Sequence, residues 1–161
     1  MKNTRRVLTA VLAVVMIAAM AMTMVSCGGK NTYTYKSNSV KVALDGKDVS
    51  GLYSEMVNNA QAALTDTFDG ATATVSGTEV TITSKEETTT VKCTKKDGKL
   101  VPTEDSMNNI KSLMDLESAS GPATFDMYFV ESGNTFTMVY SIDISTAGQT
   151  VTTSEEIVFS K

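Results

Sequence analysis

Cysteine and carboxylate side chains are the residues of this sequence whose types could do chemistry. The chain contains two cysteines, Cys27 and Cys93, and eighteen aspartates and glutamates, but no histidine. Histidine is the commonest general base and metal ligand near neutral pH. Its absence narrows the chemistry to thiols and carboxyl groups.

The carboxylates do not form a pattern typical of an active site. Adjacent pairs occur at Glu86-Glu87, Glu104-Asp105 and Glu155-Glu156. Neighbouring side chains on a strand point to opposite faces, so we interpret these pairs as solvated faces or turn residues rather than as two carboxyls in one cleft. Two Asp-Gly pairs, at residues 69–70 and 97–98, lack the spaced acidic ligands of a calcium site. The sequence therefore predicts no catalytic residue, metal site, cofactor or enzyme activity.

Cys27 follows a segment that has the order of features found in export signals. Lys2, Arg5 and Arg6 make the amino end positive, and the 19 residues from 7 to 25 carry no charge and no proline. The residues on either side of the cysteine are small, which would let an extended backbone enter a peptidase. The apolar run is nearly long enough to span a bilayer as a helix, so a retained anchor is the alternative.

The run Met24-Val25-Ser26-Cys27-Gly28 resembles the lipobox of bacterial lipoproteins, although Met24 stands where leucine is usual. The resemblance implies that residues 1–26 are a signal peptide and that Cys27 receives a diacylglyceryl thioether and becomes the mature amino terminus. Residues 27–32 would then be a short linker to a lipid anchor on the extracytoplasmic face of the cell membrane. Two acyl chains matter because one chain binds a membrane only marginally. The Arg5-Arg6 pair also fits a twin-arginine export signal loosely.

The rest of the chain has the size and charge of one acidic domain. Without residues 1–26, 135 of the 161 residues remain, enough for a single domain over residues 33–161. This part has 11 lysines and 18 acidic residues, a net charge of −7. The negative sign disfavours nucleic acid and anionic lipid head groups as partners.

Cys93 has no disulfide partner if Cys27 is lipidated. It alternates with Val91 on a threonine-rich stretch, which predicts a small buried hydrophobe on a strand. Lys92 and Lys95 are close enough in the sequence to favour a thiolate, so a reactive thiol is the alternative.

Hydrophobic periodicity predicts a mainly β domain with two helices. Apolar residues recur every three to four positions from Asp48 to Phe68, which predicts a helix that packs on a sheet. Its packing residues would be Leu52, Met56, Ala60 and Leu64. A shorter helix is predicted from Met107 to Glu117, ended by Gly121-Pro122. Alternation predicts strands at 33–44, 71–75, 80–82, 88–94, 100–101, 125–129, 136–144 and 151–159.

These elements predict an α+β fold that is mainly β: an antiparallel meander of about seven or eight strands, with a helix after the first strand. A helix followed by three strands, twice over, is the alternative order. The segments 35–42, Asp45-Gly46 and 77–83 resemble those of the small lipocalin-like lipoproteins of bacteria. The resemblance implies a lipocalin-like barrel or half-barrel. The chain departs from that family because it has no tryptophan and because a second helix is predicted.

The last strands carry the longest apolar face in the sequence. Alternation places its members on one side of adjacent strands, where methionine and aromatic side chains could line a pliable site for a small apolar ligand. The predicted ligand-binding residues are Phe125, Met127, Phe129, Phe136, Met138 and Tyr140. Three functions follow: a tethered binding module for an apolar ligand, a structural or protein-interaction lipoprotein with a packed core, and an envelope carrier or chaperone for lipids or lipoproteins.

Overall fold

The computed structural model describes residues 30–85, 87–113, 123–146 and 148–161. Several sequence predictions lie outside the described residues. They are the signal peptide, the lipidation site at Cys27, Glu86, the end of the second helix from Met114 to Glu117, and its Gly121-Pro122 stop.

Nine strands and two α-helices make up the described part of the chain. The strands are β1 (Asn31–Leu44), β2 (Lys47–Asp48), β3 (Thr72–Ser76), β4 (Glu79–Thr83), β5 (Thr88–Lys96), β6 (Lys99–Pro102), β7 (Ala123–Ser132), β8 (Thr135–Thr146) and β9 (Gln149–Ser160). The helices are α1 (Ser54–Phe68) and α2 (Glu104–Leu113), and a 3-10 helix at Ser50–Tyr53 precedes α1.

The strands close into an antiparallel barrel because β1 pairs with strands from both halves of the chain. Its residues 31–34 pair with β3, and its residues 34–44 pair with β9. The remaining strands follow in chain order, so β1 and β3 to β9 form an eight-stranded barrel with β2 as an additional short strand. This closure confirms the mainly β prediction and selects the barrel over the half-barrel.

Two Asp-Gly turns form hairpins at opposite ends of the barrel, β1–β2 at one end and β5–β6 at the other. Asp45 and Gly46 have φ of +48° and +77°, and Asp97 and Gly98 have φ of +50° and +76°. Two successive residues with positive φ match the right-handed twist of the flanking strands, and Asp and Gly tolerate that conformation. The aspartates therefore have a conformational role in the turns.

Helix α1 begins at Ser54, later than the predicted start at Asp48, and its buried face keeps only two of the four predicted packing residues, Ala60 and Leu64. The Ser50 amide donates to the Asp48 carboxylate at 2.8 Å, and the Ser50 hydroxyl accepts from the Val42 amide at 2.9 Å. These bonds hold the segment against β1 as a 3-10 turn, which changes the helical phase. Leu52 is consequently 82% exposed, so its predicted packing role is wrong. The buried residues of α1 are Val57, Ala60, Leu64 and Phe68, and Met56 packs partly against the core.

Helix α1 lies along β1 where that strand separates from β3. Beyond Thr34, β1 pairs with β9 but not with β3. There the Asn38 amide donates to the Gln61 carbonyl at 3.3 Å and to the Thr65 hydroxyl at 2.9 Å. The helix thus flanks the part of β1 that has no β3 partner.

Strand pairing in the barrel wall is least extensive between β6 and β7. These strands share a single partner pair, Leu100 with Phe129, whereas β7 pairs with β8 along its whole length. Within the described residues, the first half of β7 therefore has a neighbouring strand on one side only. Phe125 and Met127 belong to this half.

Candidate functional site

Four neighbouring strands place eight side chains on one inner face of the barrel, in two adjacent rows. We call these eight residues the inner-face grid. Strand register fixes each row across β1, β9, β8 and β7 in that order. The first row is Val40, Glu155, Tyr140 and Met127, and the second row is Val42, Thr153, Ile142 and Phe125. Seven of these are buried and Tyr140 is half-buried.

A buried acid occupies the centre of the first row. Glu155 is only 3% exposed, and Tyr140, its partner across the β8–β9 ladder, donates its hydroxyl hydrogen to the carboxyl oxygen Oε2. Burial raises the pKa of Glu155 to about 8, because the charged form loses its hydration. At neutral pH this carboxyl group is therefore mostly protonated.

A buried hydroxyl lies beside that acid in the second row. Thr153 is 4% exposed, and its Oγ1 atom has no hydrogen-bond partner among the described residues. It stands two positions before Glu155 on β9, so both side chains point to the same face. An unpaired buried hydroxyl costs roughly 1–3 kcal/mol, so Thr153 is unfavourable as a purely structural residue.

The sequence interpretation of Glu155-Glu156 was half correct. The two side chains do point to opposite sides of β9, and Glu156 is exposed. Glu155, however, does not lie on a solvated face. The available signal was its alternation with Ile157 and Phe159, both fully buried, which places an acid on an apolar face.

The six predicted ligand residues share the inner face but divide into two groups. Phe125, Met127 and Tyr140 belong to the inner-face grid, and the rings of Phe125 and Tyr140 lie 6.1 Å apart. Phe129 and Phe136 lie further along the barrel, with their ring centres 5.6 Å apart, and Met138 pairs with Phe129.

That second group joins a cluster of aromatic rings in the barrel core. Phe136 lies 5.7 Å from Tyr33 and 6.0 Å from Phe159, and Phe159 lies 6.2 Å from Phe68 of α1. All four rings are almost completely buried. Aromatic rings at such distances pack favourably. The cluster therefore belongs to the hydrophobic core. The inner-face grid is equally buried, but it contains the polar groups of Glu155 and Thr153, so it is the candidate site.

A second tyrosine–glutamate pair ties two strands together near the start of β1. Tyr33 donates its hydroxyl hydrogen to Glu131 of β7, and the Asn31 amide donates to the same carboxylate at 2.9 Å. Burial, and then the bond to Glu131, raises the pKa of Tyr33 to about 12. Glu131 is exposed, unlike Glu155, so this pair is a surface contact rather than an interior site.

Cys93 is a core residue, as the strand alternation predicts. It is 5% exposed, and burial raises the pKa of its thiol to about 12. Lys92 and Lys95 are exposed on the other side of the wall or at its rim. A thiol that ionises only at such high pH is a poor nucleophile, which counts against the reactive-thiol alternative.

The other carboxylates do not converge on a site. Glu104 and Asp105 are exposed in the first turn of α2, and Asp69 forms a surface ion pair with Lys85 at 2.8 Å. Glu87 is half-buried in the turn between β4 and β5. Across the described ranges, no three acidic or cysteine side chains are grouped so that they could hold a metal ion. None of the helices described here has the length and apolarity needed to cross a membrane.

The fold and the grid together define an antiparallel eight-stranded barrel whose apolar interior contains a buried acid–phenol pair and an unpaired hydroxyl. Comparison with protein-family models, with curated proteins and with solved structures gives no match for the chain.

Proposed function

We propose that this protein is a lipid-anchored cell-envelope protein whose barrel binds a small apolar ligand without chemical conversion. The observation that carries the ligand proposal is the inner-face grid. Ligand sites in proteins are mainly apolar with a few polar groups at fixed positions, and β-barrels hold such ligands inside. Five apolar side chains of the grid surround Glu155, Tyr140 and Thr153 in that proportion.

The strand pairing supports a path to the grid. Phe125 and Met127 belong to the half of β7 that, within the described part of the chain, has no strand partner on the β6 side. The ligand would therefore enter between β6 and β7.

The chemistry of the grid favours binding over catalysis. Glu155 is paired with a phenol, and the second row offers one hydroxyl among apolar side chains. General acid–base catalysis needs two groups with separated pKa values facing one reacting bond. A single protonated acid fits the recognition of a ligand better than its conversion.

The anchoring part of the proposal rests on the lipobox resemblance and on where β1 begins. Asn31 starts β1 only four residues after Cys27, so a lipid on Cys27 would hold the barrel close to the membrane. The β5–β6 and β7–β8 turns lie at the same end of the barrel as Asn31, according to the strand register. Lys95, Lys96 and Lys99 of the β5–β6 hairpin are exposed at this end.

Dye binding tests the ligand proposal. N-phenyl-1-naphthylamine is uncharged, apolar and fluorescent in apolar surroundings. We expect the folded protein to enhance its emission, and Met127→Trp to reduce binding at least tenfold by filling the grid. Tyr128→Trp is the matched control, because Tyr128 is the next residue on β7 and faces outward beneath Lys99. Equal binding by both variants, or none by the parent protein, would reject the binding module in favour of a packed structural protein.

A further inference from the structure

Hydrogen-bonding groups inside the barrel remain available after the protein's own contacts are formed. Thr153 Oγ1 has no partner among the described residues, although the side chain is more than nine-tenths buried. Glu155, two residues later on the same face, receives one hydrogen bond at Oε2 from Tyr140. Buried polar groups in native proteins are nearly always paired, so an unpaired one beside a buried acid indicates a missing partner.

The surroundings of these groups restrict the charge of that partner. Val40 and Val42 flank them on β1, and Ile142 flanks Thr153 on β8. Transfer of a carboxylate or an ammonium ion from water into such surroundings is costly unless an opposite charge waits there. Burial also keeps Glu155 mostly protonated at neutral pH, so it offers no full negative charge to an ammonium ion. An uncharged polar group has no charge to remove from water and needs no opposite charge inside the barrel.

Uncharged groups differ in whether they can donate and accept hydrogen bonds. A hydroxyl group can donate one hydrogen bond and accept others. It can therefore accept from Thr153 and donate to the Glu155 carboxyl group at the same time, or exchange these roles. An ether or ester oxygen can only accept, so it could pair with the hydroxyl hydrogen of Thr153 or of protonated Glu155 but would leave the acceptor oxygens of both groups unused. A hydrocarbon can neither donate nor accept.

From this juxtaposition we infer that the inner-face grid recognises an apolar molecule that ends in an uncharged hydroxyl group, with Thr153 and Glu155 as its hydrogen-bonding partners. The inference rests on the proposed binding function and adds the class of ligand. Long-chain alcohols and hydroxyl-bearing lipids share this chemistry. Fatty acids and fatty amines do not.

Photolabelling of the full, membrane-anchored protein tests the inference. The protein is placed in phosphatidylcholine nanodiscs with one of three diazirine probes that share a twelve-carbon chain and end in an alcohol, a carboxylate or an amine. Peptide mass spectrometry then locates the label. We expect the alcohol to label β7, β8 and β9 near the grid, and the other two probes to label there at least fivefold less.

Three variants test whether Thr153 forms a hydrogen bond with the hydroxyl group of the ligand. Thr153→Val keeps the shape but removes the hydroxyl, and labelling by the alcohol should fall about fivefold, as for one lost hydrogen bond. Thr153→Ser should retain the labelling. Ser154→Ala, the matched control one position along β9 on the other face, should leave it unchanged.

The outcomes separate this inference from the binding proposal. Equal labelling by alcohol and carboxylate, preferential labelling by the amine, or an unchanged signal in Thr153→Val would overturn the hydroxyl inference while apolar binding stands. Absence of grid labelling by all three probes would reject both.

Discussion

Tyr140 and Glu155 face each other across the β8–β9 ladder, and the phenol donates its hydrogen bond to a carboxyl group that water barely reaches. The bond spans the middle of the first row of the inner-face grid. It satisfies one oxygen of an acid that sits between Val40 and Tyr140. Because an acid in such a place loses its hydration on ionisation, the pair makes folding sensitive to pH.

We expect the stability of the protein to fall as the pH rises from about 5 to about 8. The pKa of Glu155 is raised to about 8 in the folded state, above its ordinary value of 4.5, so the folded protein binds the proton more tightly. The contribution is fully present below pH 4.5 and is lost as the pH approaches 8. Its size is on the order of 5 kcal/mol, since the pKa rises from 4.5 to about 8 and each pKa unit corresponds to about 1.4 kcal/mol.

Urea unfolding at pH 5, 7 and 9 measures this effect. Glu155→Gln introduces an amide whose oxygen can accept from Tyr140 and which cannot ionise. The unfolding free energy of this variant should therefore not decrease between pH 5 and pH 9. Glu156→Gln is the matched control, because Glu156 is exposed on the same strand. An identical pH dependence in Glu155→Gln and the parent protein would contradict the raised pKa.

Thr153→Val should stabilise the ligand-free protein. Valine has nearly the shape of threonine and removes a buried hydroxyl that has no partner in the described part of the chain. The expected gain in unfolding free energy is about 1–2 kcal/mol. Thermal unfolding of the parent and the variant, both stripped of lipid, measures it. A lower melting temperature would mean that Thr153 forms a stabilising hydrogen bond.

The sequence predicted the β scaffold well because alternation is a local property. Phe125, Met127 and Phe129 appear at period two, and a strand of that pattern has one possible inner face once a core exists. The same rule placed Cys93 correctly. Closure of the barrel was left open, because it depends on the pairing of β1 with β9, more than a hundred residues apart.

Glu155 and Thr153, two of the three polar residues of the grid, were missed for a different reason. Acidic residues are rarely buried, so Glu155 was assigned to a solvated face although its neighbours at positions 157 and 159 are apolar. The predicted packing role of Leu52 was wrong because of local backbone geometry. Its spacing fits an α-helix, but the hydrogen bonds of Asp48 and Ser50 impose a 3-10 turn there.

Leu64→Ala and Leu52→Ala should differ sharply in their effect on stability. Leu64 is almost fully buried in α1, and truncation of such a residue costs roughly 2–5 kcal/mol. Leu52 is 82% exposed, so its truncation should change the unfolding free energy by about 0.5 kcal/mol or less. Chemical denaturation compares the two. A large loss in Leu52→Ala would show that this side chain packs in the folded protein.

Cys27→Ser should leave an uncleaved, unlipidated precursor that retains residues 1–26. The reason is chemical: the proposed thioether requires the sulfur of Cys27, and the proposed cleavage leaves that lipidated residue as the amino terminus. Intact-mass measurement of the protein from membrane and soluble fractions distinguishes the two forms. Cys93→Ala is the matched control, because it removes the other cysteine, which is buried in the barrel wall and distant in sequence. It should be lipidated and cleaved like the parent protein. Normal processing of Cys27→Ser would reject the lipid anchor, and it would leave the inner-face grid and its proposed ligand unaffected, since every strand of the barrel lies between Asn31 and Ser160.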